Sequence, residues 1–227
     1  HGDTVGLLHI RFPAVSCSEE NGLNETVMAF ALQCAEQISL AVANAKLRDE
    51  LEQQSIRDPL TGLYNRRHFM NQMHRVMKKS GPEHKHVALI ALDADNFKTF
   101  NDVHGNNAGD VVLCAISDAL LEADRPIDTV ARFGGEEFAM LLSDTDTDAA
   151  EERAEAIRAS IANLSIRYSD GVLPRITVSC GVAGTSECGY GTQEILRAAD
   201  MALYRAKDTG RNRVCRADPA DTADRPA

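Results

Sequence analysis

No apolar run in this chain is long enough to cross a membrane and no signal peptide opens it, so the sequence predicts a cytoplasmic protein with no membrane part in this stretch. The six cysteines, at 17, 34, 114, 180, 188 and 215, show no CxxC spacing and mostly lie in apolar segments. Such thiols read as reduced core residues. A basic excess is missing too: the net charge of −10 argues against nonspecific binding to nucleic acid. The chain opens at His1 without a methionine and reads as a piece of a longer protein. Its 227 residues, 44% of them hydrophobic, suffice for one full domain and a partial one.

What the chain does contain is Arg132-Phe133-Gly134-Gly135-Glu136-Glu137-Phe138, two glycines followed at once by two carboxylates. Residues 129–133 and 138–142 have the β-branched, aromatic and apolar content of short strands, and Gly-Gly is a favoured hairpin turn because both positions tolerate positive φ. A turn without side chains also lets a ligand approach the backbone closely. Adjacent glutamates repel each other and, in a strand, point to opposite faces, so one serves a given site directly and the other plays a different part.

A second acidic cluster lies upstream. His86 to Leu92 is a continuous apolar run of strand length, and Asp93-Ala94-Asp95-Asn96-Phe97-Lys98 follows it, then Asn101-Asp102 and Gly105 to Asp110. Ligands commonly sit at such strand ends in mixed α/β sheets. If this strand pairs beside the hairpin, Asp93 and Glu136 converge, and converging carboxylates need a cation. Oxygen ligands without a nearby Cys or His cluster favour Mg²⁺, which takes one or two carboxylates plus substrate phosphates. An EF-hand loop is excluded, because its sixth position would be Lys98 instead of glycine and its twelfth His104 instead of glutamate.

Four separated motifs then carry a family resemblance: Asp58 to Arg67 (DPLTGLYNRR), Asp93 to Asp110, the Gly-Gly-Glu-Glu-Phe hairpin, and Ala199 to Asn212 (ADMALYRAKDTGRN). Residues 56–215, about 70% of the chain, resemble a GGDEF domain, the catalytic domain of diguanylate cyclases, in its GGEEF form. The resemblance implies condensation of two GTP molecules into cyclic di-GMP by a homodimer with one GTP per domain. It assigns two Mg²⁺ ions per site, with Mn²⁺ as a substitute, to Asp93, Glu136 and the backbone carbonyl of Ala94. Glu136 takes the general-base role, and Glu137 assists the metal cluster or the hairpin. Asn101 and Asp110 read guanine, Asn106 stands where relatives often carry histidine, and Gly134 and Gly135 lie against the nucleotide. Lys207 and Arg211, four residues apart on one side of a helix end, grip the terminal phosphates. With Asp110 intact, the implied product is built from GTP alone. A catalytically idle module that senses GTP or cyclic di-GMP is the alternative.

Arg125-Pro126-Ile127-Asp128 matches the family's inhibitory RxxD site, with Arg125 taking a product phosphate or stacking on guanine and Asp128 accepting from the guanine edge. A second inhibitory arginine is absent, since Ala156 occupies its place.

Around these motifs, helices are expected over 65–80, 109–123, 193–207 and from a Thr145/Asp146 cap to about Leu164. Strands are expected over 175–183 and 213–216. The order predicts an α+β fold like the family's nucleotidyl-cyclase, ferredoxin-like palm: a mostly antiparallel central sheet flanked by helices over residues 57–217. Met70, Met73, Met77, Met140 and Met201 read as core fillers. Residues 25–56 predict a long coiled-coil-like signalling helix spanning roughly 45 Å, suited to pairing with a second copy. Residues 1–24, with strand-like Val5 to Phe12, resemble the end of a GAF sensor domain, and 218–227 reads as a disordered tail.

Overall fold

Val87–Ala94 is apolar at every position but Asp93, and a strand without a polar face must be covered on both sides. The structure is a computed structural model and describes residues 22–54, 56–79, 86–169, 171–189 and 191–218. Two compact units divide at Ser55 and Ile56.

In the second unit the chain runs β1 (Tyr64–Asn65), α2 (Arg66–Lys79), β2 (Val87–Ala94), α3 (Phe97–His104), α4 (Asn106–Glu122), β3 (Thr129–Arg132), β4 (Glu137–Ser143) and α5 (Thr147–Ala162), α1 being the helix of the first unit, Gly22–Gln54. It continues through β5 (Arg167–Tyr168), β6 (Gly171–Val172), β7 (Val178–Gly184), α6 (Thr185–Cys188), α7 (Thr192–Asp208) and β8 (Val214–Arg216). Six strands form one sheet in the order β1-β3-β4-β2-β7-β8, and β5 and β6 form a separate ribbon. The three central pairings are antiparallel, and β1 and β8 join the edges parallel to β3 and β7. This is the expected mostly antiparallel α+β sheet.

Side chains alternate across β2 with period two, and each set meets its own pair of helices. Ala88, Ile90 and Leu92 pack with Val112 and Ile116 of α4 and Ala154 and Ile157 of α5. Val87, Leu89 and Ala91 pack on the other face with Phe69 and Met73 of α2 and Ile195 and Ala202 of α7. β2 therefore ends at a fixed place between two filled cores. Met73, Met77 and Met140 are buried, while Met70 and Met201 are half-buried.

Three boundaries differ from expectation. The acidic stretch after β2 forms a helix of its own, α3, because Gly105 at φ 84 breaks it from α4, which starts at Asn106 rather than Gly109. β7 begins at Val178 rather than Arg175, after Pro174, which has no N–H to give a ladder. The β5–β6 ribbon was not expected. α5 starts as expected, with the Asp146 carboxylate accepting from Ala149 N at 2.8 Å.

α1 is a 33-residue helix on which Phe30, Ile38, Leu40 and Val42 are exposed. The strand expected over Val5 to Phe12 lies outside the described residues, as does the tail beyond Asp218. Among the described residues no helix is long and apolar enough to cross a membrane.

Removing the cap of α5 isolates one local term of this fold. Asp146→Ala should cost about 1 kcal/mol of unfolding free energy, measured by urea denaturation, without changing the secondary structure seen by circular dichroism.

Candidate active site

The pairing of β2 with β4 sets Asp93 opposite Glu137, so the apolar strand delivers its one carboxylate beside the hairpin turn. Ala94 N donates to the Glu136 carbonyl at 3.2 Å, extending the contact into the turn. The Asp93 side chain is 6% exposed, and Lys207 Nζ, from the last turn of α7, stands 2.8 Å from its Oδ2. Burial raises the pKa of Asp93 against the pull of Lys207, and the charges of Glu137 and Asp95 raise it further. Glu136 is raised by burial and by Asp93. Burial is the largest cause of both shifts, and an excess of neighbouring negative charge adds to it.

That excess is the observation against which a divalent cation can be judged. Among the described residues no group of three or more His, Cys, Asp or Glu side chains could hold a metal ion. Two raised, converging carboxylates fit a hard cation that fills its other positions with water and phosphate oxygens. Asp93 and Glu136 are the residues that would hold it.

The hairpin closes by Phe133 N and Gly134 N donating to Glu137 O at 2.7 and 3.2 Å. Neither Gly134 nor Gly135 has a positive φ, contrary to the expected reason for glycine here. At Gly134 a Cβ would lie 2.5 Å from Glu137 Oε2, so a side chain there would make the Glu137 carboxylate move from its present place. Gly135 faces open space. Arg132 clamps the turn, its Nη2 donating to Gly135 O at 2.6 Å and its Nη1 to Asp58 Oδ1 at 3.1 Å. Asp58 also accepts from Thr61 N and Oγ1 at 2.9 and 2.7 Å. The sequence reading gave Arg132 and Asp58 no role. Both stand in quoted motifs, but their partnership spans 74 residues and no local pattern reveals it.

Five expected residues, Asn101, Asn106, Asp110, Gly135 and Glu136, line one open cleft of about 440 Å³. Asn101 Oδ1 is buried without a hydrogen-bond partner, an acceptor that a ligand's donor would satisfy. Gly109 makes room for it, because a Cβ there would overlap that oxygen. Lys207 and Glu137 line a neighbouring cleft of about 270 Å³ with Arg66, Asp200 and Tyr204. Arg211 is not on the helix with Lys207. α7 ends at Asp208, and Arg211 lies in a left-handed turn at φ 60 whose N–H returns to Ala206 O at 2.9 Å.

Residues 55–213 match the family described as the diguanylate cyclase GGDEF domain. The chain belongs to the GGDEF family. It is 42% identical over 173 residues to the diguanylate cyclase DgcM of Escherichia coli K12, a match that covers 74% of this chain and 40% of DgcM. The coiled coil and GGDEF domain of DgcB from Caulobacter crescentus, solved with c-di-GMP, superposes with a TM-score of 0.69 at 28% identity, covering 83% of this chain and all of that one. The active GGEEF domain of a diguanylate cyclase from Vibrio cholerae gives 0.63 at 31% identity, covering 67% and 96%. The chain spans less than half the length of the curated relatives it matches.

Elsewhere in this GGDEF domain, the RxxD pair is closed on itself. Asp128 has no exposed side-chain surface, and it accepts from Arg125 Nε at 2.8 Å, Arg125 Nη2 at 2.9 Å, Arg153 Nη1 at 2.7 Å and Ser143 N at 3.2 Å. Its oxygens are thus occupied by protein donors, which leaves none open to a guanine edge. Arg125 also donates to Thr145 Oγ1 at 2.6 Å, yet 41% of its side chain stays exposed. Arg153, three residues before Ala156, was not anticipated in this cluster.

Burial pushes the Asp128 carboxyl up, but the bonds from Arg125, Arg153 and the Ser143 N–H outweigh it and hold the pKa below the usual carboxylate range. A lowered carboxylate stabilises the fold above its unfolded pKa, about 4, and that stability is lost as pH falls toward the lower folded value. Asp128→Asn should therefore cost about 3 kcal/mol near neutral pH, where it breaks a buried pair. Urea denaturation across acid pH should show the gap to the parent chain closing below about pH 4.

Proposed function

We propose that this chain condenses two GTP molecules into cyclic di-GMP, releasing two pyrophosphates. The observation that carries the reading is the convergence of Asp93 and Glu136 beside a cleft that holds a buried, unpartnered Asn101 oxygen, with Lys207 adjacent. The likeness to the GGEEF domain from Vibrio cholerae and to GGDEF domains solved with c-di-GMP supports it.

Guanine enters the cleft of Asn101, Asn106 and Asp110. Asp110 accepts from the ring N–H and exocyclic amine, and the carboxamides donate and accept, a pattern that adenine does not match. Gly135, without a side chain, lets the nucleotide pass close to the hairpin. Lys207 and Arg211 hold the terminal phosphates. Mg²⁺, or Mn²⁺ in its place, supplies charge neutralisation on the phosphates and acidifies the attacking hydroxyl when bound at Asp93, Glu136 and the Ala94 carbonyl. Glu136, its carboxyl raised by burial and by Asp93, accepts the proton of the 3′-hydroxyl as that oxygen attacks the α-phosphorus of the other GTP and pyrophosphate departs. Glu137 fixes the hairpin against Gly134 and adds to the negative field.

Each domain carries one GTP, so the two bonds of the product need two domains face to face. The exposed apolar side chains of α1 support its use as a dimerising signalling helix, and the resemblance of residues 1–24 to the end of a GAF domain supports a sensor before it. Proximity then becomes the regulated quantity. Product inhibition runs through Arg125, whose partly exposed side chain binds phosphate or stacks on guanine while Asp128 and Thr145 hold it in place.

Incubation of the chain with GTP and Mg²⁺, with products separated by chromatography, should yield cyclic di-GMP and pyrophosphate at protein concentrations that permit dimerisation. No cyclic product there, from protein that binds GTP, contradicts the enzymatic reading. Glu136→Gln should keep the fold and GTP binding while lowering turnover by about 10³-fold or more, as loss of a general base does.

A further inference from the structure

Asp95 has no part in the reaction above, yet it is 4% exposed and fully engaged. Its Oδ2 accepts from Thr177 Oγ1 at 2.7 Å and from Asn212 N at 3.0 Å, and its Oδ1 from Ser179 Oγ at 2.6 Å. Its own N–H donates to Thr177 O at 2.8 Å. All of the side-chain donors are neutral, so a buried carboxylate is held by dipoles alone. The two hydroxyls come from residues on and next to β7 and would satisfy a purely structural role for the strand end.

The third donor points further. Asn212 lies 117 residues away, in the turn after α7, with left-handed backbone at φ 46 next to Arg211 at φ 60. Two consecutive non-glycine residues in that region are strained and persist only where surroundings hold them. Arg211 is held through its N–H to Ala206 O and through its carbonyl, which accepts from Arg213 Nε at 3.1 Å, and two further bonds hold Asn212. Asn212 N–H is fixed by Asp95, and Asn212 Oδ1 accepts from Arg158 Nη1 at 2.6 Å, while Glu155 fixes Arg158 in turn. The turn that carries Arg211 is thus tied to the same short segment that supplies Asp93 at one end and leads into α3 and Asn101 at the other.

We propose that Asp95 is a positioning residue for the phosphate-binding cations: by holding Asn212 N–H it aims Arg211, and the α7 end bearing Lys207, at the strand end where Asp93 lies. The inference rests on the reading of Lys207 and Arg211 as the triphosphate grip. One carboxylate then keys the metal-holding, base-reading and phosphate-holding segments to each other.

Binding of α,β-methylene GTP and of GMP, measured by calorimetry on the whole chain, separates this role from a structural one. Asp95→Ala should weaken the triphosphate analogue about tenfold while changing GMP less than about twofold, the scale of one lost positioning bond. Asp95→Asn should recover most of the loss, since its amide oxygen can still accept from Asn212 and Thr177 while its nitrogen donates to Ser179 Oγ. Arg158→Ala, which frees the Asn212 side chain and the exposed Glu155 but leaves Asn212 N–H on Asp95, should weaken the analogue about threefold and leave GMP unchanged. Equal losses for the two ligands, or a folded Asp95→Ala with unchanged analogue binding, overturns the proposal. If circular dichroism shows Asp95→Ala unfolded, an unchanged ratio of the two affinities in Arg158→Ala overturns it instead. Arg211→Ala tells the two claims apart: an unaltered ratio there removes the phosphate grip itself, whereas a selective loss there without one in Asp95→Ala removes only the part assigned to Asp95.

Discussion

The double pairing of β2 is the constraint on which the rest depends. β4 and β7 flank it, two helix pairs cover its faces, and its register sets Asp93 opposite Glu137 on one side and Ser179 on the other. A slip of one residue would turn every side chain of the strand to the wrong core, so the apolar pattern that fixes the fold also fixes the place of the carboxylate. Hydrophobic burial thereby supplies the precision that the chemistry needs.

At that strand end the electrostatics are left deliberately incomplete. Burial raises both Asp93 and Glu136, Asp93 adds to the rise of Glu136, Glu137 and Asp95 add to that of Asp93, and Lys207 is the cation placed directly against Asp93. The contrast with Asp128 is instructive. There two arginines and a backbone N–H answer the buried carboxylate and lower its pKa, giving a closed structural cluster. Similar residue types thus produce a stable knot in one place and a cation-seeking site in another, and what differs is how many donors converge.

Much of this was legible in the sequence because it is local or periodic. The uninterrupted apolar run gave β2, the apolar and β-branched content of 129–133 and 138–142 gave the hairpin strands, and Asp146 marked the start of α5. The Asp93, Asn101, Asp110 and Glu136 positions stood out through the family's motifs. What escaped was long-range or conformational. Asp58 with Arg132 and Asp95 with Asn212 are partners 74 and 117 residues apart, and nothing in either segment announces the other. The helical spacing of Lys207 and Arg211 misled because the chain leaves α7 at Asp208 and turns left-handed. The hairpin glycines were correctly placed for an incorrect reason: Gly134 yields space to a carboxylate and does not supply positive φ.

The central claim is that β2 and the hairpin bring Asp93 and Glu136 together to share a cation with the nucleotide. Crystals grown with Mn²⁺ and α,β-methylene GTP test it through the metal's anomalous scattering. The account predicts a peak within coordination distance of both carboxylates and of a phosphate oxygen, with guanine against Asn101. A metal bound to the nucleotide but remote from either carboxylate would contradict it.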